Sequence, residues 1–501
     1  MDVIILGFQT IFSDITIFLW LVFGVFLGII FGVIPGLTAT LGVMLMIPFT
    51  FTMTPEQGIA VLVGIFVGGI SGGTITTILL NIPGTPASIA TCYDGYPMAA
   101  KRGKPAEALS LGIFASLFGG TVSALALFTL SPLIARVALK LQSWELFALC
   151  FLALIVVAFM NSDDLIKGLL GCIIGMLLAT VGMDVIVGTS RLTFGRWELM
   201  SGFQATSLMM GLFAIREILN QLPELNKLRP PMNVKKVSFL PAFQEMDFEA
   251  WRTMILGSIT GTFIGVLPGI GQNAASIISY NQAKGISKNP AQFGTGCVSG
   301  LVASEVANNA ENGGALIPLV TLGIPGDMVT AALVGGLLIH NLQPGPRLFY
   351  DQPAIVGTIM GVYFLSNILM YIMELGLLKF FIRTLELSLA YIFPGIIIFC
   401  ILGVYALNNL VFDVWILIIF GVMGYIFYAF KIDLVSLILG FILGPLVEKY
   451  FKTAMMLNEG DFGSILNHPI ALSFLVIAAF FLMFPVFKMI YRQIRKPKSA
   501  A

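Results

Sequence analysis

The stretch VASEVANNAENGGALIPLVTLGIP, Val302 to Pro325, decides how the rest of the chain is read. It sits among strongly apolar runs, yet Ser304, Glu305, Asn308, Asn309, Glu311 and Asn312 fall within nine positions. On a helix Glu305, Asn309 and Asn312 share one face at i, i+4 and i+7, while Ser304, Asn308 and Glu311 share the adjoining one. Downstream, Gly313-Gly314 and Pro318 are expected to loosen the backbone, and Gly323-Ile324-Pro325-Gly326 to break it. Carboxylates and amides beside a helix break at membrane depth are costly to bury, so they mark a substrate or ion site. The alternative is a polar loop outside the bilayer. Close apolar flanks and a second copy of the break elsewhere favour the buried reading.

The composition supports the membrane setting. Of 501 residues, 57% are hydrophobic and 11% charged, and the apolar runs are continuous. A bilayer solvates outward-facing Leu, Ile and Phe, so a helix bundle is expected; an outer-membrane barrel would alternate instead. A net charge of +1 with scattered basic residues gives no basic domain for nucleic acid. Cys92, Cys150, Cys172, Cys297 and Cys400 are widely spaced, contain no CxxC pair and read as small hydrophobes. His340 and His468 match no ligand spacing, so neither zinc, haem nor another cofactor is expected. The opening Met1-Asp2-Val3 lacks a basic n-region, and the first apolar run is expected to stay as a membrane segment.

Fifteen apolar segments run from 15–34 to 467–490, among them 165–188, 291–310 and 313–342. Several are broken by Pro-Gly pairs, so about 12 crossings (roughly 11 to 13) are expected at roughly 20 apolar residues each, with re-entrant pieces between them. The organisation read from the motifs is a first membrane half at 1–222, a polar connector at 223–251, a second repeat core at 252–388 and C-terminal helices with a basic tail at 389–501. The connector, Pro223 to Trp251, holds four prolines and four cations. By the positive-inside rule it is cytoplasmic, as are Lys101-Arg102-Lys104 and the tail cations Lys488, Arg492, Arg495, Lys496 and Lys498.

The two halves echo each other. Gly28 to Gly36 and Gly261 to Gly269 both read GxxxGVxPG, with Pro268 lying 233 positions after Pro35. Ser71-Gly72-Gly73 leads to Asn81-Ile82-Pro83-Gly84-Thr85-Pro86, as Asn312-Gly313-Gly314 leads to Gly323-Ile324-Pro325-Gly326-Asp327, with Pro325 lying 242 positions after Pro83. Paired helix breaks in two membrane halves are the mark of a repeat transporter, its site lying where the breaks meet. Broken helices expose N–H groups and a positive dipole end that suit a carboxylate; unwound carbonyls with Asn or Ser oxygens suit a small hard cation. A lone Pro-Gly pair would mean only a helix cap; four, paired in order beside Thr, Ser, Asn or Gln, mean more.

GVIPGLTATLG (Gly32–Gly42), LLNIPGTPASIATCYDGYPMAAKRGKPAEALSLGI (Leu79–Ile113), GVLPGIGQ (Gly265–Gln272), ANNAENGGALIPLVTLGIPG (Ala307–Gly326) and GGLLIHNLQPGPRLF (Gly335–Phe349) resemble the large membrane subunit of the tripartite tricarboxylate transporters. The resemblance covers nearly the whole chain. It implies a multi-pass protein of the bacterial inner membrane, a secondary transporter importing carboxylates by symport with an ion gradient. It also implies two partners, a small four-helix membrane subunit and a periplasmic solute-binding protein. The family signature falls on Pro35-Gly36, Asn81 to Pro86, Pro268-Gly269, Asn308-Asn309 and Gly323 to Gly326. Glu311 and Asn312 stand where the family usually carries small residues.

These readings give an all-α polytopic transporter of two repeats, expected to be inverted in topology. Its substrate would bind among Pro35, Gly36 and Thr38, Asn81, Gly84 and Thr85, Pro268, Gly269, Gln272 and Asn273, and Pro325 and Gly326. Backbone amides with Thr38, Thr85 and Gln272 would hold the carboxylates. Asn308 and Asn309 with unwound carbonyls, joined by Glu305 and Asn312, would hold Na+; the coupling ion is Na+ or a proton. Transport would move the binding unit against a scaffold, as an elevator does. Glu305 serves either as a proton or cation site or as a partner of Asn309. Asp327 reads as a cap for the following helix, Arg102 and Lys104 as membrane anchors, and Asp94-Gly95-Tyr96-Pro97 as a turn. Glu374 and Asp413 read as scaffold or subunit contacts, and Asp163-Asp164 lacks prenyl-transfer spacing. A stand-alone ion-coupled carrier and a channel are the rivals; an intramembrane enzyme lacks any HExxH, Ser-His or DDxxD pattern.

Overall fold

The computed structural model describes residues 2–161, 165–184, 186–225, 237–385 and 387–495. Residues 226–236 of the polar connector, Asp163-Asp164, and Lys496 and Lys498 of the tail lie outside the described residues. The chain folds as two compact units, each assembled from separate stretches: Met1–Leu139 with Ala205–Tyr425, and Lys140–Gln204 with Ile426–Ala501.

Nine helices of the first unit carry the site: α1 (Ile15–Val33), α2 (Ala39–Thr50), α3 (Pro55–Leu80), α4 (Pro105–Ala138), α5 (Phe248–Val266), α6 (Gly271–Ile286), α7 (Val298–Leu322), α8 (Met328–Ile339) and α9 (Pro353–Gly376). Their ends follow from local chemistry. Asp14 starts α1 by accepting the Thr16 N–H at 2.9 Å, and Asp247 starts α5 by accepting that of Ala250 at 2.8 Å. Both helices stop where a proline forces the preceding residue out of the helical region, at Ile34 (ψ 109°) before Pro35 and at Leu267 (ψ 116°) before Pro268. α3 opens on a Thr54–Gln57 capping box with Pro55 in its first turn. α3 and α7 close on left-handed residues, Asn81 (φ 57°) and Gly323 (φ 74°). Each of the four helices therefore runs into a Pro-Gly corner.

The packing repeats as the motifs do. α1 lies along α3, and α5 along α7. A Cβ added to Gly32 would stand 2.3 Å from the Gly69 carbonyl oxygen, and one added to Gly265 2.3 Å from that of Glu311. One step back, Gly28 faces the Ile65 carbonyl at 2.6 Å and Gly261 that of Ala307 at 2.3 Å. Only residues without side chains permit such backbone contact. The corners dock alike: a Cβ on Gly84 would meet the Gly32 carbonyl at 2.4 Å, and one on Gly326 the Gly265 carbonyl at 2.6 Å. These pairs keep the 233- and 242-residue offsets of the motifs.

The segmentation needs two corrections. The expected separate segments 291–310 and 313–342 are one helix up to Leu322, because Gly313-Gly314 and Pro318 do not interrupt α7. The two glycines instead admit close neighbours, Ser123 of α4 at 2.5 Å and the Thr262 carbonyl of α5 at 2.3 Å from where their Cβ atoms would be. Segment 165–188 is helical only to Ala179; beyond it β1 (Gly182–Met183) and β2 (Ser190–Arg191) pair antiparallel, a small exception to an all-helical chain. Against about 12 expected crossings, eight helices among the described residues are long and apolar enough to span a membrane: α1, α3, α4, α9, Ser143–Met160, Leu389–Asn408, Val411–Ala429 and Leu434–Leu457. α7 has the length but not the composition, because its middle is polar.

The second unit joins β1 and β2 to the long helix Leu434–Leu457 through charge. Asp184 accepts from Lys452 and from the N–H groups of Ile186 (2.9 Å) and Val187 (3.0 Å), and Arg191 pairs with Glu448 at 2.5 Å. The Lys452 ammonium, followed by those two N–H groups, holds the Asp184 carboxyl well below the usual carboxylate range.

Candidate functional site

Every side chain from Ser299 to Thr321 is buried, so the polar run of α7 lies wholly inside the first unit. Its two polar faces meet different surroundings. On the first, Glu305 is enclosed by hydroxyls: Oε2 accepts from Thr74 of α3 at 2.6 Å and from Ser116 of α4 at 3.2 Å, and Oε1 from Thr91 at 2.5 Å. Asn309 donates to Ser116 Oγ at 2.9 Å and to the Glu305 carbonyl at 3.1 Å, leaving its own Oδ1 without a partner. Glu305 thus bonds to three side chains of the first half rather than to the Asn309 side chain. No Lys, Arg or His lies within ion-pair distance of it among the described residues.

On the second face, Ser304 lies 3.0 Å from Thr91 Oγ1, while Asn308 Oδ1 and both oxygens of Glu311 have no partner. A buried polar group left unmatched costs about 1–3 kcal/mol, and a charged one more. Asn312 sits beside Gln272 of α6 (Oδ1 to Nε2, 3.5 Å), and Gln272 donates to Asp327. Asp327 caps α8 by accepting the Thr330 N–H at 2.7 Å, the role expected of it.

The corners converge in part. The third and fourth are joined directly, the Gly269 N–H donating to the Gly326 carbonyl at 2.6 Å. The second meets the helix after the third, where Ser276 Oγ of α6 donates to the Ala87 carbonyl at 3.0 Å. Pro83, Asn81, Pro86 and Asn273, around that contact, are exposed, while Gly84, Thr85, Gly269, Gln272, Pro325 and Gly326 are buried and Pro268 is half-buried. Thr85 lies 3.2 Å from Ser88, hydroxyl to hydroxyl. The first corner lies against the second through α3, whose Thr76 donates to the Val33 carbonyl: Pro35 is buried, Gly36 (φ 93°) faces the Gln221 side chain, and Thr38 caps α2 through the Leu41 N–H at 3.1 Å. Because α7 stays helical through Asn312, the carbonyls expected to be unwound beside Asn308 and Asn309 are part of a continuous helix.

Sequence reasoning missed the partners. Thr74, Thr91 and Ser116 are ordinary residues in apolar surroundings, and only the fold brings them to Glu305. Asp94, read as a turn residue, reaches across to the second half: Oδ1 accepts the N–H groups of Gly294 (2.9 Å), Gly296 (2.8 Å) and Cys297 (2.7 Å), and Oδ2 the Tyr280 hydroxyl (2.9 Å). Glu374 is buried on α9 and accepts from Ser71 at 3.1 Å. Tyr363, also on α9, links Ser123 (2.8 Å) to the Asn309 carbonyl (3.3 Å). Aspartate 413 accepts from Asn408 at 2.7 Å, and His468 pairs with Glu145 at 2.7 Å.

The chain matches the Tripartite tricarboxylate transporter TctA family over residues 18–439. It belongs to that family. TctA proteins are membrane subunits of tricarboxylate transporters rather than enzymes, and the family implies a tripartite system with further subunits and a substrate. The matched residues take in all four corners and the whole of α7. The chain is also 37% identical over 472 residues to an uncharacterized 52.8 kDa protein in the TAR-I ttuC' 3' region of Agrobacterium vitis, covering 94% of this chain and 93% of that one. It is 40% identical over 215 residues to an uncharacterized protein in the TAR-II ttuC' 3' region of the same organism, covering 43% of this chain and 89% of that one. No solved structure matches it. The TctA assignment and eight apolar helices together make it a multi-pass membrane protein.

Proposed function

We propose that this TctA-family chain imports tricarboxylates or dicarboxylates across the bacterial inner membrane by symport with Na+ or protons. Its substrate is delivered by a periplasmic solute-binding protein, and it works beside a small four-helix membrane subunit. The observation that carries the reading is the pairing of helix breaks. Four helices end at Pro-Gly corners, the second and fourth docked on equivalent glycines, next to a buried helix with unsatisfied amides and carboxylates. Helix breaks of this kind leave main-chain groups free for an anionic substrate, and buried polar side chains offer oxygens for its coupling ion.

In this reading the two corner-bearing halves are inverted repeats and about 12 segments cross the bilayer. The substrate contacts are Asn81, Gly84 and Thr85 with Pro268, Gly269, Gln272 and Asn273, backed by Pro325 and Gly326 and, from the first corner, Pro35, Gly36 and Thr38. The cation lies along α7 among Glu305, Asn308, Asn309 and Asn312. Movement of this unit against a scaffold would carry both across.

The deciding experiment is uptake of labelled citrate, tartrate and other carboxylates into proteoliposomes holding both membrane subunits. The binding protein and a sodium or proton gradient are each present or absent. Uptake that needs the binding protein and one of the gradients supports the proposal; uptake without the binding protein points to a stand-alone carrier. Replacing Asn309 by Leu is expected to abolish uptake while membrane insertion persists.

A further inference from the structure

The second polar face of α7 holds the least satisfied chemistry in the first unit. Glu311 is fully buried and neither carboxylate oxygen has a partner; Asn308, three residues earlier on the same face, is fully buried beside the Glu305 carboxylate, with its Oδ1 unpartnered. Ser304 and Ala315 continue that face. Ser304 lies beside Thr91 of the first half, and Ala315 lies under Gly326 of the fourth corner. The two unsatisfied residues therefore sit between the segment that follows the second corner and the fourth corner itself.

The other carboxyls nearby are accounted for. Glu305 is held by three hydroxyls; Asp327 accepts from Gln272 and from the first turn of α8, whose dipole favours a negative charge there. Glu311 has neither a hydrogen bond nor, among the described residues, a basic side chain within ion-pair distance. A carboxyl in such a place is neutralised, either by a proton or by a bound positive charge.

We propose that Glu311 and Asn308 are side-chain ligands of a bound monovalent metal cation, Na+. One uncompensated carboxylate calls for one positive charge, and carboxylate and amide oxygens are hard donors suited to a hard cation. A proton on Glu311 would remove its charge but supply at most one hydrogen bond, whereas a cation is coordinated by carboxylate and amide oxygens together. The inference rests on the ion-coupled reading above and sharpens it, moving the centre of the ion site from Glu305, already held by three hydroxyls, to Glu311.

The test uses the purified full-length chain without substrate. Binding of radioactive Na+ is measured, alongside the Na+-dependent shift in melting temperature, with choline replacing Na+ at constant ionic strength. The intact protein is expected to show saturable Na+ binding. Glu311→Gln, which keeps the size and loses the charge, is expected to weaken it at least about tenfold, the loss that even outer partners of a bound metal cause. If Glu311→Gln does not yield folded protein, Asn308→Ala carries the same expectation. No saturable Na+ binding by the intact protein, or unchanged affinity in a folded variant, overturns the proposal. Saturable Na+ binding lost in Glu311→Gln, with no carboxylate uptake by the intact system, would sink the functional reading and leave the site standing. Proton-driven uptake with no Na+ binding would do the reverse.

Discussion

Replacing Asp94 tests how the two halves are held together. Its carboxylate is fully buried and takes three backbone N–H groups and one tyrosine hydroxyl from the second half, at 2.7 to 2.9 Å. Three residues earlier, Thr91 supplies one of the Glu305 bonds, so loss of the clamp should loosen the site as well. Asp94→Ala strips all four donors of their acceptor. Gly294 is exposed and its N–H can return to water, which leaves Gly296, Cys297 and Tyr280. At about 1–3 kcal/mol for each orphaned group, the expected loss is roughly 3–9 kcal/mol. Asp94→Asn keeps an acceptor but loses the charge that about doubles each bond, so a loss of roughly 2 kcal/mol is expected. Tyr280→Phe removes one bond, about 1 kcal/mol. Unfolding by SDS titration in mixed micelles measures all three, and proteolysis in the 292–297 loop should accelerate in the same order. If Asp94→Ala lies within about 0.5 kcal/mol of the unaltered protein, where harmless surface changes fall, the carboxylate is not a clamp.

Other expectations can be checked with the same preparations. Gly32→Val and Gly265→Val should each force α1 from α3 or α5 from α7, because the first added carbon already lands 2.3 Å from a carbonyl oxygen. Comparable losses of folded yield in size-exclusion chromatography are expected, and a harmless change at one of the two would count against equivalent packing. Thr91→Val and Ser116→Ala each remove one hydroxyl from Glu305 and should lower stability by about 1–3 kcal/mol each, read by SDS titration. Asp184 has a folded pKa below its unfolded value of about 3.9. Its contribution is therefore present above that value and lost as pH falls through the folded one. The melting-temperature gap between the unaltered protein and Asp184→Asn should be widest near neutral pH and shrink on acidification; a gap that grows with acid would contradict the Lys452 assignment.

The sequence by itself determined the solvent, the punctuation and the repeat. Continuous apolar runs require a bilayer, a proline bars its predecessor from the helix, and glycines at fixed spacing permit two backbones to touch; each acts locally and survives in the letters. That is why Pro35 and Pro268 end α1 and α5 in the same way, and why the 233- and 242-residue offsets reappear as contacts. What Gly313-Gly314 and Pro318 would do was not legible, since such residues loosen a helix or admit a close neighbour according to what lies beside them. Ser123 and the Thr262 carbonyl lie beside the two glycines, and α7 remains unbroken. Tertiary structure alone also decided which carboxylates are satisfied. Glu305 and Glu311 are alike in composition and depth, but three hydroxyls from distant parts of the chain surround one and none reaches the other. Hydrogen bonding over about 3 Å depends on placement in space, and placement across 200 residues of chain is fixed only when the helices pack.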